Sequence, residues 1–145
     1  MAPAGRTESV TEYVSGRRLF RVVQFQPSHR QLMLWSEALA VDETTTRVEV
    51  WIAHVELMFL KPYYRDGLHV RRATAAEFAE LRERHGLAEK DAEWTWMLAP
   101  DDGSFVVGGQ PSWREAEYAL MDRESLFDFS KPWPPAYPAQ WGEVG

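Results

Sequence analysis

The chain has 145 residues, 45% of them apolar, and no cysteine. It therefore fits one domain with a proper core and excludes disulfide scaffolds, thiolate zinc sites, iron–sulfur clusters and cysteine nucleophiles. A formal charge of −6 and a pI near 5.2 argue against general affinity for phosphate backbones, which needs clustered Lys and Arg.

The N-terminal "MAPAGRTESVTEYVSGRR" lacks the apolar centre of a signal peptide, and no apolar run is long enough to span a bilayer. A soluble, cytoplasmic protein without nucleic-acid or membrane partners is expected, with residues 1–14 flexible. Seven Trp, seven Phe and five Tyr predict a core of large rings with a surplus at the surface, where rings serve as contact points.

In chain order, "RLFRVVQF" (18–25) and "RQLMLWSE" (30–37) carry branched and aromatic residues around a Pro27-Ser28 turn, and predict a first hairpin. "VDETTT" (41–46) is a polar connection. The next stretch changes parity. From Thr46 the even positions Val48, Val50 and Ile52 are apolar, but from Ala53 the odd positions Ala53, Val55, Leu57 and Phe59 are. Strand side chains alternate faces, so the change needs one inserted or skipped residue. A bulge near Ile52 to His54 would bend a long strand between two sheet segments; a helix starting near Val50 is the competing reading.

Residues 61–67, "KPYYRDG", predict a turn, and "LHVRR" (68–72) the returning strand. A register of Leu60 opposite Leu68 would set Met58 against Val70 and Glu56 against Arg72. One helix is expected over about 75–85, with Thr74 and Glu77 as a capping box, an Glu80/Arg84 pair and Gly86 beyond its end. "WTWMLA", "PDDG" and "SFVVGGQ" form a hairpin pattern with Gly103 at a left-handed position. "SWREAEYALMDRES" (112–125) fits a strand by alternation and a helix by its Ser112/Glu115 capping pattern; the strand is preferred. Four prolines between 132 and 138 exclude helix and central strand there.

The expected architecture is α+β: a strongly curved antiparallel sheet, or a partly open β-barrel or sandwich, of about seven strands with one covering helix. Residues 1–130 form the domain and 131–145 a Pro/aromatic-rich arm, packed on the body or loose.

No GxSxG, P-loop, GxGxxG, HExxH or EF-hand motif is present. Four histidines remain. His85 sits at the helix C-terminus, where a cation complements the dipole; His29 ends a turn and is expected in solvent; His69 is expected to face water or a ring such as Phe59. His54 has Glu56 two residues on, with Arg72 as the expected cross-hairpin partner. A carboxylate beside an imidazole orients it and raises its pKa, as a general base needs. The alternative is a satisfied polar group at a bulge. No histidine pair has ligand spacing, so neither metal nor cofactor is expected. "GGQ" (108–110) marks a strand end or a close backbone approach, and "DRESLFDF" (122–129) docks apolar side chains while keeping its acids in water.

In the tail, Trp133, Tyr137 and Trp141 are candidate partner-binding residues, or pack on their own domain. The leading functional expectation is a non-enzymatic protein-interaction module, with an immunity-type protein that neutralises a partner as one form of it. The alternatives are a small-ligand binder or enzyme using His54, Glu56 and Arg72, and a structural subunit of a larger assembly.

Overall fold

A computed structural model describes residues 9–10, 12–99, 102–117 and 124–145. Among the described residues twelve strands form two sheets. Along the chain they are β1 (Ser9–Val10), β2 (Glu12–Val14), β3 (Phe20–Gln26), β4 (Gln31–Ser36), β5 (Arg47–Ile52), β6 (Leu57–Phe59), β7 (Tyr63–Tyr64) and β8 (His69–Arg72). After helix α1 (Ala75–His85) come β9 (Thr95–Ala99), β10 (Ser104–Val107), β11 (Ser112–Ala116) and β12 (Ala139–Val144). The first sheet has the order β1-β12-β11-β5-β4-β3-β7 and the second β2-β8-β9-β10-β6. All pairings are antiparallel except β1 with β12. The protein is thus α+β, with two open sheets rather than a closed barrel.

The core follows from alternation. Leu32, Leu34, Val48, Val50 and Ile52 of the first sheet meet Val70, Trp96, Leu98 and Val106 of the second. Burying each such side chain contributes about 1.5–3 kcal/mol. The opposite face of the second sheet is also apolar, because Met97, Phe105 and Val107 pack under Leu81 of α1. Helix α1 has the expected limits and caps: Thr74 Oγ1 accepts from Glu77 N at 3.2 Å, Glu77 Oε1 accepts from Thr74 N at 2.8 Å, and Gly86 is left-handed at φ 69°.

Among the described residues the outer face of the first sheet is covered by the 126–133 segment and no helix. Leu126 packs with Ala116, Ala139 and Trp141, while Phe127 and Phe129 pack on Trp51. Beneath this cover Arg47 and Glu49 are fully buried. Arg47 binds Glu37 at 2.5 and 3.2 Å and Glu49 at 3.4 Å, and lies 4.2 Å over the Trp35 ring. Glu49 also accepts from Ser125 Oγ at 2.6 Å and Leu126 N at 2.9 Å. The network fastens the 124–129 segment to the sheet.

The first hairpin and the β9–β10 hairpin form as expected, with Gly103 at φ 79°. The parity change at residues 52–54 coincides with a change of sheet. Strand β5 ends at Ile52 in the first sheet, residues 53–56 turn through His54 at φ 55°, and β6 pairs in the second. Val48, Val50 and Ile52 face the space between the sheets, whereas Leu57 packs on the helix side. The break is a four-residue corner rather than a bulge within one strand.

The expected β6–β8 register does not form. Strands β9 and β10 lie between them, and Leu57, Met58 and Phe59 pair with Val107, Val106 and Phe105. Residues 61–67 do not simply reverse the chain, because Tyr63 and Tyr64 pair with Arg21 and Phe20 of β3 and carry the chain back across the sandwich. The tail also differs: once Pro138 is passed, 139–144 form a strand inserted between β1 and β11. At the other end, residues 9–10 and 12–14 are in strands, while 1–8 and 11 lie outside the described residues. Residues 112–116 form the preferred strand, and 118–123 lie outside the described residues.

Candidate functional site at the sheet-switch corner

The corner at 53–56 is held by three backbone hydrogen bonds to two separate parts of the chain, the β3–β4 turn and the end of β10. Gly109 N donates to Ala53 O at 2.7 Å, Val55 N to Arg30 O at 2.9 Å, and Glu56 N to Val107 O at 2.8 Å. Val55 is buried between them. Gly108 and Gly109 are glycines because the corner presses on them: a Cβ at Gly109 would lie 2.9 Å from Ala53 O, and one at Gly108 3.2 Å from the Val55 Cα. The "GG" pair thus marks a close approach of another backbone. Gly108 is fixed further, its N–H donating to Trp94 O at 2.9 Å and its carbonyl accepting from Trp96 Nε1 at 3.1 Å.

These constraints leave a cleft of about 340 Å³ lined by His54, Glu56, Lys90, Asp91 and Trp94 over a floor of Val107, Gly108 and Gly109. His54 holds the left-handed conformation, which costs a non-glycine residue free energy but is several-fold enriched in His, Asn and Asp. On the facing wall, Asp91 receives Ala88 N at 3.1 Å on its Oδ2, which fixes the 3₁₀ segment Glu89–Trp94. The Trp94 ring is 48% exposed and offers a stacking surface. The cleft gathers an imidazole, two carboxylates, an ammonium and an indole on a backbone that has little freedom to move.

Of the expected trio, His54 and Glu56 meet here and Arg72 does not. Arg72 lies in β8, 4.8 Å over the Trp96 ring, with its Nε donating to Glu93 O at 3.1 Å. No hydrogen bond joins His54 to Glu56 among the described residues, so the imidazole lacks the orienting carboxylate that a general base uses. Lys90, Asp91 and Trp94 were not singled out from sequence. Their only signal there is the polar "EKDAE" run leading into a tryptophan, which reads equally as a solvated connection.

The other histidines are accounted for locally. His85 ends α1 with its ring 5.3 Å from Phe105, His69 contacts Glu12 at 3.0 Å, and His29 contacts Ser28 Oγ at 3.1 Å. Among the described residues no group of three His, Asp or Glu could hold a metal ion, and no helix is long and apolar enough to cross a membrane. Of the tail residues, Trp141 is buried in β12 with its ring 5.4 Å from that of Trp133, while Tyr137 is 45% exposed.

Comparison with family models, with curated proteins and with solved structures finds no match to this chain.

Proposed function

We propose that the protein is a small-ligand-binding protein whose site is the cleft at the sheet-switch corner. The observation that carries this reading is the convergence of His54, Glu56, Lys90, Asp91 and Trp94 on the closely approached Gly108-Gly109 backbone. Concave sites with a few convergent polar groups and a rigid wall are where small molecules bind, because little ordering is needed on binding. The ligand class follows from the lining: a flat ring to stack on Trp94, amino groups donating to Glu56 and Asp91, and an acceptor for Lys90 or His54.

The test is a thermal-shift and calorimetric panel of amino-substituted heteroaromatic rings, aminopyridines and aminopyrimidines. Saturable binding that Trp94→Ala and His54→Ala both weaken, without lowering the unfolding temperature, is the expected result. Binding by none of the panel, or binding indifferent to both variants, would remove the proposal.

A second reading, a protein-interaction module, has its own observation. Strand β6 is the last strand of its sheet, and its Met58 and Phe59 are 38% and 60% exposed. An edge with unpaired backbone groups and apolar side chains suits strand addition by a partner. Partner capture lost with Phe59→Lys but kept with His54→Ala would favour this reading over the first.

A further inference from the structure

A second pocket, of about 250 Å³, lies on the outer face of the first sheet, on the opposite side from α1, and is lined by residues from β5, β11, β12 and the 127–133 segment. Among the described residues that line it, Arg114 is the one cation. The guanidinium is stacked between rings, its Cζ 4.4 Å from the Phe127 centroid and 4.2 Å from that of Trp133. One terminal nitrogen donates to Leu126 O at 2.7 Å. No other hydrogen bond of Arg114 is present among the described residues, so the rest of the fork is unspent.

Stacking holds the plane of an arginine fork while its edge stays available, which is the arrangement that recognises a planar two-oxygen anion. The walls beside it are apolar and flat. Trp51 and Phe129 lie edge to face at 5.5 Å, and Trp133 and Trp141 do so at 5.4 Å. The indole N–H groups of Trp133 and Trp141 are buried there without a hydrogen-bond partner among the described residues.

Charge narrows the anion further. Buried Glu49 lies across from Arg114 in the β5–β11 register, and Glu143 lines the same pocket. With two carboxylates near, a dianion is disfavoured and a monoanion accepted.

We propose that this pocket binds a small monocarboxylate with a flat apolar body, the carboxylate taking the free edge of Arg114 and the body lying against Trp51, Phe129 and Trp133. The pocket is smaller than a drug-sized site, which suits a single-ring acid. Glu143 at the rim weakens the site for anions and favours acids that carry a hydrogen-bond donor. The site is independent of the corner cleft and stands or falls separately from it.

The test is titration of the whole protein with benzoate, benzamide and inorganic phosphate, following the tryptophan indole N–H resonances and the heat of binding. Benzoate is expected to saturate and to move the Trp51, Trp133 and Trp141 indoles but not that of Trp94, with benzamide and phosphate at least about tenfold weaker. Arg114→Lys keeps the charge but not the fork, and is expected to weaken benzoate at least about tenfold. Glu143→Gln is expected to tighten it. Phe129 is 66% exposed, so Phe129→Ala is expected to fold as the parent does and to weaken benzoate. Equal binding of benzoate and benzamide, benzoate binding unchanged in both Arg114→Lys and Phe129→Ala, or shifts confined to Trp94 would overturn the proposal.

Discussion

At the scale of single residues, two buried or half-buried carboxylates have opposite relations to pH. The Arg71 guanidinium, bonded to Glu77 at 2.7 and 2.9 Å, lowers the Glu77 pKa from 4.5 to about 2, with the Thr74 cap acting in the same direction. A folded-state value below the unfolded one means that the stabilisation is present above pH 4.5 and is lost as pH falls toward about 2. Glu77→Gln should therefore be less stable than the parent at neutral pH, with the difference closing in acid; denaturant midpoints measured across this range check it. For Glu49 burial dominates and raises the pKa, against Ser125, Leu126 and Arg47. Its contribution is therefore greatest in acid and is lost as pH rises through the raised folded value. Removing the side chain is another matter. Glu49→Ala leaves Arg47 paired with Glu37 but takes the acceptor from the Leu126 N–H, and should cost about 1–3 kcal/mol in equilibrium unfolding.

At the scale of elements, α1 and the two hairpins were legible in the sequence because their determinants are local. Thr74 and Glu77 are three residues apart, Gly86 ends the helix, and Gly103 closes a turn beside Ser104. Thr74→Ala should destabilise the protein by about 0.5–2 kcal/mol, measured by denaturant unfolding, since it removes one half of the capping box. Strand β12 was not legible. "AQWGEV" follows a proline-rich segment and alternates weakly, and its pairing with β11 and β1 depends on partners far away in sequence, the nearest being Ala116 opposite Ala139. Its position inside the sheet gives a clear expectation: deletion of 139–145 exposes the edges of β1 and β11, uncovers Trp133, and abolishes the cooperative thermal transition. A truncated chain that unfolds at the parent temperature would show that β12 is dispensable.

At the scale of the whole molecule, the parity change at residues 52–54 was the sequence feature that reported on three-dimensional organisation. It signals the chain passing from one sheet to the other, through a corner rather than along one bent strand, because an apolar series changes sides when the chain changes the surface it packs against. What it could not carry was the identity of the neighbours. Glu56 and Arg72 look complementary in a hairpin, yet β9 and β10 fill the space between their strands, since those two are apolar on both faces and take the middle of the sheet. Likewise Arg114 gave no signal as a site residue; its rings come from residues 127–133, and only the folded-over segment brings them together.

The corner and the cleft beside it are one construction. The Ala53, Val55 and Glu56 backbone bonds tie the β3–β4 turn and the end of β10 to the corner, and the same bonds position His54 and Glu56 in the cleft with Trp94. The central claim is that this corner is a ligand site, and amide correlation spectra during titration with an aminopyrimidine that binds test it most directly. The account predicts that the largest shifts fall on His54, Gly108, Gly109 and the Trp94 indole. Largest shifts on Met58 and Phe59, or around Arg114, with the corner resonances unmoved, would contradict it.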